Sequence, residues 1–90
     1  MSGGDRVPVR TLGVWTRRSG EQTVLEGYID VYATNHTGAF LWAHCTEGRC
    51  ERQIAEALAG EYGIDAVLAA SVTGTFLDEL ADKGFLSWQS

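Results

Sequence analysis

Tyr28-Ile29-Asp30-Val31-Tyr32-Ala33-Thr34-Asn35-His36-Thr37-Gly38-Ala39-Phe40-Leu41-Trp42-Ala43-His44-Cys45 contains the change of period that decides the fold. As far as Ala33 the chain alternates like a strand. Ile29, Val31 and Ala33 share one face, while Tyr28, Asp30 and Tyr32 share the other, which puts two aromatics on the outer face. At Thr34-Asn35 the alternation stops, and either residue suits a helix N-cap. Gly38, Leu41, Trp42 and Cys45 then recur at i, i+3, i+4 and i+7, one face of a helix that Glu47-Gly48 ends.

Upstream of this switch the pattern is extended. Val9 to Arg17 alternates as a first strand, Ser19-Gly20 marks a turn, and Thr23 to Leu25 reads as a second strand. Glu26-Gly27 gives a tight break before the strand Tyr28 to Ala33, completing an antiparallel meander of three strands. Residues 1–8 are Gly/Ser-rich at their start and form a flexible lead-in, so the domain proper is 9–90. Downstream, a helix runs from about Cys50 to Glu61 and stops at Gly63. Asp65 caps a third helix that runs to about Lys83 and stops at Gly84. Ala69, Val72, Phe76 and Leu80 form the core stripe of that helix, and Phe85 to Trp88 is an apolar tail that packs back. Three strands followed by three helices predict an α+β fold, a three-stranded antiparallel sheet with the helices on one face, winged-helix-like in architecture.

Composition narrows the function. Ninety residues make one domain with little room for a deep catalytic cleft. Seven basic against 12 acidic residues leave a net charge of −5, which disfavours phosphate contacts. The apolar fraction of 44% is that of a soluble globular domain. No stretch of about 18 apolar residues predicts a membrane span. The start has neither a basic nor an apolar signal-peptide region, so a cytoplasmic location is expected. Two cysteines are too few for a disulfide scaffold.

The residues that carry chemistry elsewhere are sparse here. Cys45-x4-Cys50, with His36 and His44 near, lacks the second ligand pair of a structural zinc site, and Cys45 falls on an apolar stripe. No metal and no cofactor are expected. No nucleophile motif accompanies the histidines, and Asp78, Glu79 and Asp82 read as a solvated face. Two surfaces remain. The strand Tyr28 to Ala33, placed at a sheet edge, offers unpaired backbone groups to an added peptide strand, with Tyr28 and Tyr32 ready to grip its side chains. The third helix carries a stripe of small residues, Ala66, Ala70, Thr73, Gly74 and Ala81, with Leu77 among them. A mid-helix glycine costs about 1 kcal/mol against alanine, so something approaches closely there, either a partner or another element of the domain.

These segments together resemble the PqqD family. Asn35-His36-Thr37-Gly38-Ala39-Phe40-Leu41-Trp42 is similar to the start of the family's first helix, and Gln53-Ile54-Ala55-Glu56-Ala57-Leu58 to its second. Glu61-Tyr62-Gly63-Ile64-Asp65 resembles the link, and Val72 through Leu86 resembles the ending. Ser71 and Cys50 depart from it, where an Asp and a capping Ser or Thr are common. The resemblance implies a non-catalytic peptide chaperone, or RiPP recognition element. Such a domain binds the leader of a ribosomally made precursor peptide as an added strand beside the third strand and against the third helix. Carried onto this sequence, the implied contacts are Tyr28, Ile29, Asp30, Val31 and Tyr32 with Ala66, Ala70, Thr73, Gly74 and Leu77. The implied enzyme partner is a radical S-adenosylmethionine protein or a leader protease.

Two rivals are weaker on physical grounds. A winged-helix DNA-binding protein needs a basic recognition helix, but the third helix offers Lys83 against Asp78, Glu79 and Asp82. A small enzyme needs an activated nucleophile, and none is visible. A free strand edge also permits a weak homodimer, so the expected state is monomer or weak homodimer.

Overall fold

The computed structural model describes residues 6–20, 22–27, 31–46 and 48–89. The element order is β1 (Val7–Arg10), β2 (Trp15–Ser19), β3 (Gln22–Glu26), β4 (Val31–Thr34), α1 (His36–Ala43), α2 (Glu51–Tyr62), α3 (Ala66–Asp82) and β5 (Leu86–Gln89). Strands β2-β3-β4 form an antiparallel sheet in that order, so β4 is an edge. With three helices this is the α+β arrangement expected.

Two features correct the strand reading. The extended run Val9 to Arg17 is not one strand, because Leu12-Gly13 turns the chain and separates β1 from β2. The C-terminal tail is itself a strand, with β1 and β5 paired antiparallel from Val7↔Gln89 to Arg10↔Leu86. Val7 and Pro8, which composition places in the lead-in, therefore belong to β1, and Pro8 is buried. A four-residue strand with a partner near the other end of the chain leaves no local trace.

The helix ends follow local chemistry. The side chain of Asn35 accepts from the Gly38 N–H at 2.9 Å. The side chain of Asp65 accepts from the N–H groups of Val67 and Leu68. Gln53 reaches back to accept from the Cys50 N–H at 2.9 Å, the reciprocal half of a capping box. Gly63 ends α2 with φ 63°, a left-handed conformation that costs glycine little. Helix α1 stops at Ala43, earlier than the Glu47-Gly48 signal suggests, with His44 as its cap.

The core joins Leu25 of the sheet to Leu41, Trp42 and Cys45, Ile54 and Leu58, Ala69, Phe76, Leu77 and Leu80, and Phe85 and Leu86. Trp42 donates from Nε1 to the Thr16 hydroxyl at 3.2 Å, tying α1 to β2. Arg6 pins the N-terminal end, pairing with buried Glu51 at 3.0 Å and with Asp78 at 3.1 Å, and lying 3.9 Å over the Trp88 ring.

The faces of β4 are inverted relative to the sequence pattern. Val31 pairs opposite Glu26 and Tyr32 opposite buried Leu25, so Tyr32 and Thr34 turn inward while Val31 and Ala33 are exposed. The Tyr32 ring meets Phe76 edge-on at 6.2 Å and tilts against Phe85 at 6.3 Å. Aromatic area outweighs the smaller aliphatic side chains, and the hydroxyl still reaches a polar partner at the rim.

Gly38 permits the close approach of α1 to β4. A Cβ there would lie 1.7 Å from the Thr34 Oγ1 and 3.0 Å from Phe76 Cε1. Gly38→Ala is therefore expected to lower stability by about 2 kcal/mol from overpacking, despite alanine's better helix propensity. Thermal unfolding checks this, with an expected fall in Tm of about 10 °C for a chain of this size.

Candidate peptide-binding groove

Edge strand β4 borders a groove of about 460 Å³. Tyr32 and Thr34 form its sheet wall, and Asn35, Thr37, Gly38 and Leu41 its α1 wall. Leu58, Tyr62 and Ile64 close one end, and Val72 and Phe76 of α3 form the opposite side. The groove is apolar at its base and open to water. It lies beside a strand with no further strand on its outer side among the described residues. In an edge strand, alternate residues turn their N–H and C=O groups away from the sheet, which is what an added strand pairs with.

Tyr32 bridges strand and helix. Its hydroxyl donates to Glu79 Oε1 at 2.7 Å, and Lys83 Nζ lies 5.9 Å from the ring centroid. Burial first, then the hydrogen bond to Glu79 and that carboxylate's charge, push the phenol up to about 12. The protonated phenol is thus favoured in the folded state over its usual value near 10. The resulting stabilisation is complete below pH 10 and is lost as the pH rises from about 10 to about 12. Tyr32→Phe is expected to remove this part of the alkaline destabilisation. Comparing urea midpoints of the two proteins at pH 9 and pH 11.5 checks it, the gap between them narrowing at the higher pH.

The residues expected to meet a peptide fall into three groups. Tyr28, Ile29 and Asp30 lie outside the described residues. Val31 and Tyr32 stand on β4, Tyr32 within the groove and Val31 on the outer sheet face. The α3 residues do not join them. Ala66 and Ala70 line a different groove, about 490 Å³ between α2 and α3, with Ala55, Ala59 and Glu56. Gly74 lies against Glu51, whose Oε2 is 2.8 Å from where a Cβ would stand. Thr73 and Leu77 are fully buried. The small-residue stripe thus receives α2, the intradomain alternative. The face of α3 toward β4 is Val72, Phe76, Glu79 and Lys83, a helical stripe. The sequence pattern assigns Val72 and Phe76 to the core, and a stripe that is half core and half groove looks the same in sequence.

The α2–α3 groove is as large but offers less to an extended chain. Helix backbone groups are already paired within the helix, so no main-chain hydrogen bonds are on offer there. The other sheet edge, β2, is exposed along its whole length and carries Arg17 and Arg18. Charges on an edge oppose strand pairing, and neither groove is lined by a β2 residue.

The cysteines and histidines are not assembled for chemistry. Burial pushes the Cys45 thiol up to about 11, partly offset by Arg10, and the thiol donates to the Leu41 carbonyl at 3.2 Å. Little thiolate is present at neutral pH, so the Cys45 thiol is a poor nucleophile. His44 stacks on Phe40, with centroids 4.2 Å apart. Among the described residues no group of three His, Cys, Asp or Glu side chains is placed to hold a metal ion. No helix among them is long and apolar enough to cross a membrane.

Comparisons with known proteins bear on this groove. The sequence model of the family described as coenzyme PQQ synthesis protein D (PqqD) matches residues 22–86, from β3 to the start of β5. No curated protein matches the chain. A solved structure described as TbiB1 in complex with the TbiA(beta) leader peptide is similar in fold, with a TM-score of 0.77 and 22% identity. The similarity covers 88% of this chain and 94% of that one.

Proposed function

The chain belongs to the PqqD family, and from that premise we propose that it is a non-catalytic recognition domain for the leader segment of a ribosomally made precursor peptide. The leader adds as a strand along β4, with its side chains alternating between the outer sheet face and the groove against α3. Backbone hydrogen bonds set register, and the apolar pocket at Val72, Phe76, Leu41 and Leu58 selects an anchor side chain. The observation that carries this reading is the apolar groove beside an edge strand. The leader complex of the similar TbiB1 fold supports it.

The domain delivers the bound precursor to a modifying enzyme, either a radical S-adenosylmethionine protein or a leader protease, and works by raising the local concentration of the core peptide at that active site. The acidic outer rim of α3, with Asp78, Glu79 and Asp82, is unsuited to a phosphate backbone, so DNA binding has no observation in its favour.

The test is fluorescence anisotropy of a labelled leader segment, taken from the precursor peptide encoded beside this protein, titrated with the full chain. Saturable binding at micromolar or tighter Kd is expected, since ordering a flexible leader costs several kcal/mol that buried anchors must exceed. No binding by the folded protein would overturn the proposal.

A further inference from the structure

We infer that the groove beside β4 selects leaders in which an apolar anchor is followed, two or four residues later, by a lysine or arginine; the inference rests on the leader-binding reading and deepens it.

Charge and geometry along one stripe of α3 carry the argument. Val72 and Phe76 line the apolar pocket at the Thr34 end of β4. One to two turns further along the helix, Glu79 is held at the Tyr32 position by the 2.7 Å hydrogen bond from the phenol. A glutamate accepting one hydrogen bond keeps acceptor capacity for a cation. Asp82 is exposed on the next turn. Asp78, by contrast, turns to Arg6 at 3.1 Å.

Among the described residues the only basic one at this rim of α3 is Lys83, beside the Tyr32 ring. All six arginines, residues 6, 10, 17, 18, 49 and 52, lie outside β4 and α3. Glu79 at the groove and Asp82 beyond it therefore stand against one ammonium at this end of α3. They also stand at the C-terminal end of α3, where the helix dipole disfavours anions, so an arriving cation relieves an existing cost.

The spacing follows from the two repeats. Val72 and Glu79 are about 10 Å apart along a helix rising 1.5 Å per residue. A strand covers that distance in about three residues at 3.3 Å each. Two side chains on one face of a strand are separated by an even number, which leaves two or four. Strand β4 runs from the Glu79 end toward the pocket, as Tyr32 contacts Glu79 and Gly38 lies against Phe76. Antiparallel addition, the pairing used throughout this sheet, places the anchor N-terminal to the base.

The test is selection of a displayed library of random 14-residue peptides on the immobilised full chain, repeated on the Glu79→Gln/Asp82→Asn variant. The amide oxygen introduced at position 79 still accepts from Tyr32, so the groove keeps its shape. Enriched peptides are expected to carry an aromatic or large aliphatic residue with Lys or Arg two or four positions later. The variant is expected to keep the anchor preference and lose the basic one. The affinity of the best peptide is expected to fall about tenfold on the variant at low salt, and this difference to vanish at 1 M salt. Enrichment of anchors with no basic preference, or with Asp or Glu at those positions, would overturn the charge inference and leave leader binding standing. No enrichment on folded protein would overturn both.

Discussion

Val72→Glu is expected to weaken leader binding by about 100-fold while the domain stays folded, because a carboxylate must then share the pocket with an apolar anchor. Val72 lies half-buried on α3 beside Phe76, opposite Thr34 and Leu41. In the unbound protein the new carboxylate reaches water through the open groove, so stability falls by only about 1 kcal/mol. In the complex that route is closed. The charge is either desolvated or it expels the anchor, and both remove binding energy concentrated on one contact. Isothermal titration with the leader segment reads the loss, and circular dichroism confirms the fold. Ala70→Glu is the matched control. Position 70 opens on the α2–α3 groove, so its leader affinity is expected to stay within about twofold of the parent, as for a charge outside the interface.

Leu77→Ala is expected to lower stability by about 3 kcal/mol through the cavity it leaves. Leu77 is fully buried within the core that joins the sheet to α1, α2 and α3. Out of a total of about 5–15 kcal/mol for a small domain, that is a large share. Urea unfolding measures it directly. The result also separates two roles for the same residue. A peptide contact at position 77 predicts weaker leader binding and near-normal stability. A core position predicts the reverse, once affinity is measured under conditions where the variant is fully folded.

The helices were legible because their signals are local. Asn35 and Asp65 announce helix starts through side chains that bond the next turn, and Gly63 announces a stop through its φ of 63°. The edge strand was legible for a similar reason, since its alternation ends abruptly at a cap. What escaped depended on distant partners. Strand β1 exists because β5 returns to it, and nothing within Val7–Arg10 encodes that return. Tyr32 inverted the expected faces because Phe76 and Phe85 accept its ring and Glu79 its hydroxyl, three residues contributed by the other half of the chain.

For a related reason, the α3 stripe that the sequence pattern singles out is not the one that borders the β4 groove. Small residues at Ala66, Ala70 and Gly74 do mark a close approach, but the sequence pattern carries no information on whether a partner or α2 makes it. In the fold it is α2, with the Glu51 carboxylate held against Gly74 by Arg6. The groove is bordered instead by the flank of the core stripe, where Val72 and Phe76 both pack on the core and line the groove.

Amide-resolved NMR of the full chain titrated with the leader segment locates the bound strand residue by residue. Shifts are expected to concentrate on β4, including Tyr32 and Thr34, and along Val72, Phe76 and Glu79, with slowed hydrogen exchange at amides of β4. Shifts confined to β2 or to Ala66 and Ala70, or saturable binding that leaves β4 exchange unchanged, would contradict strand addition at this edge.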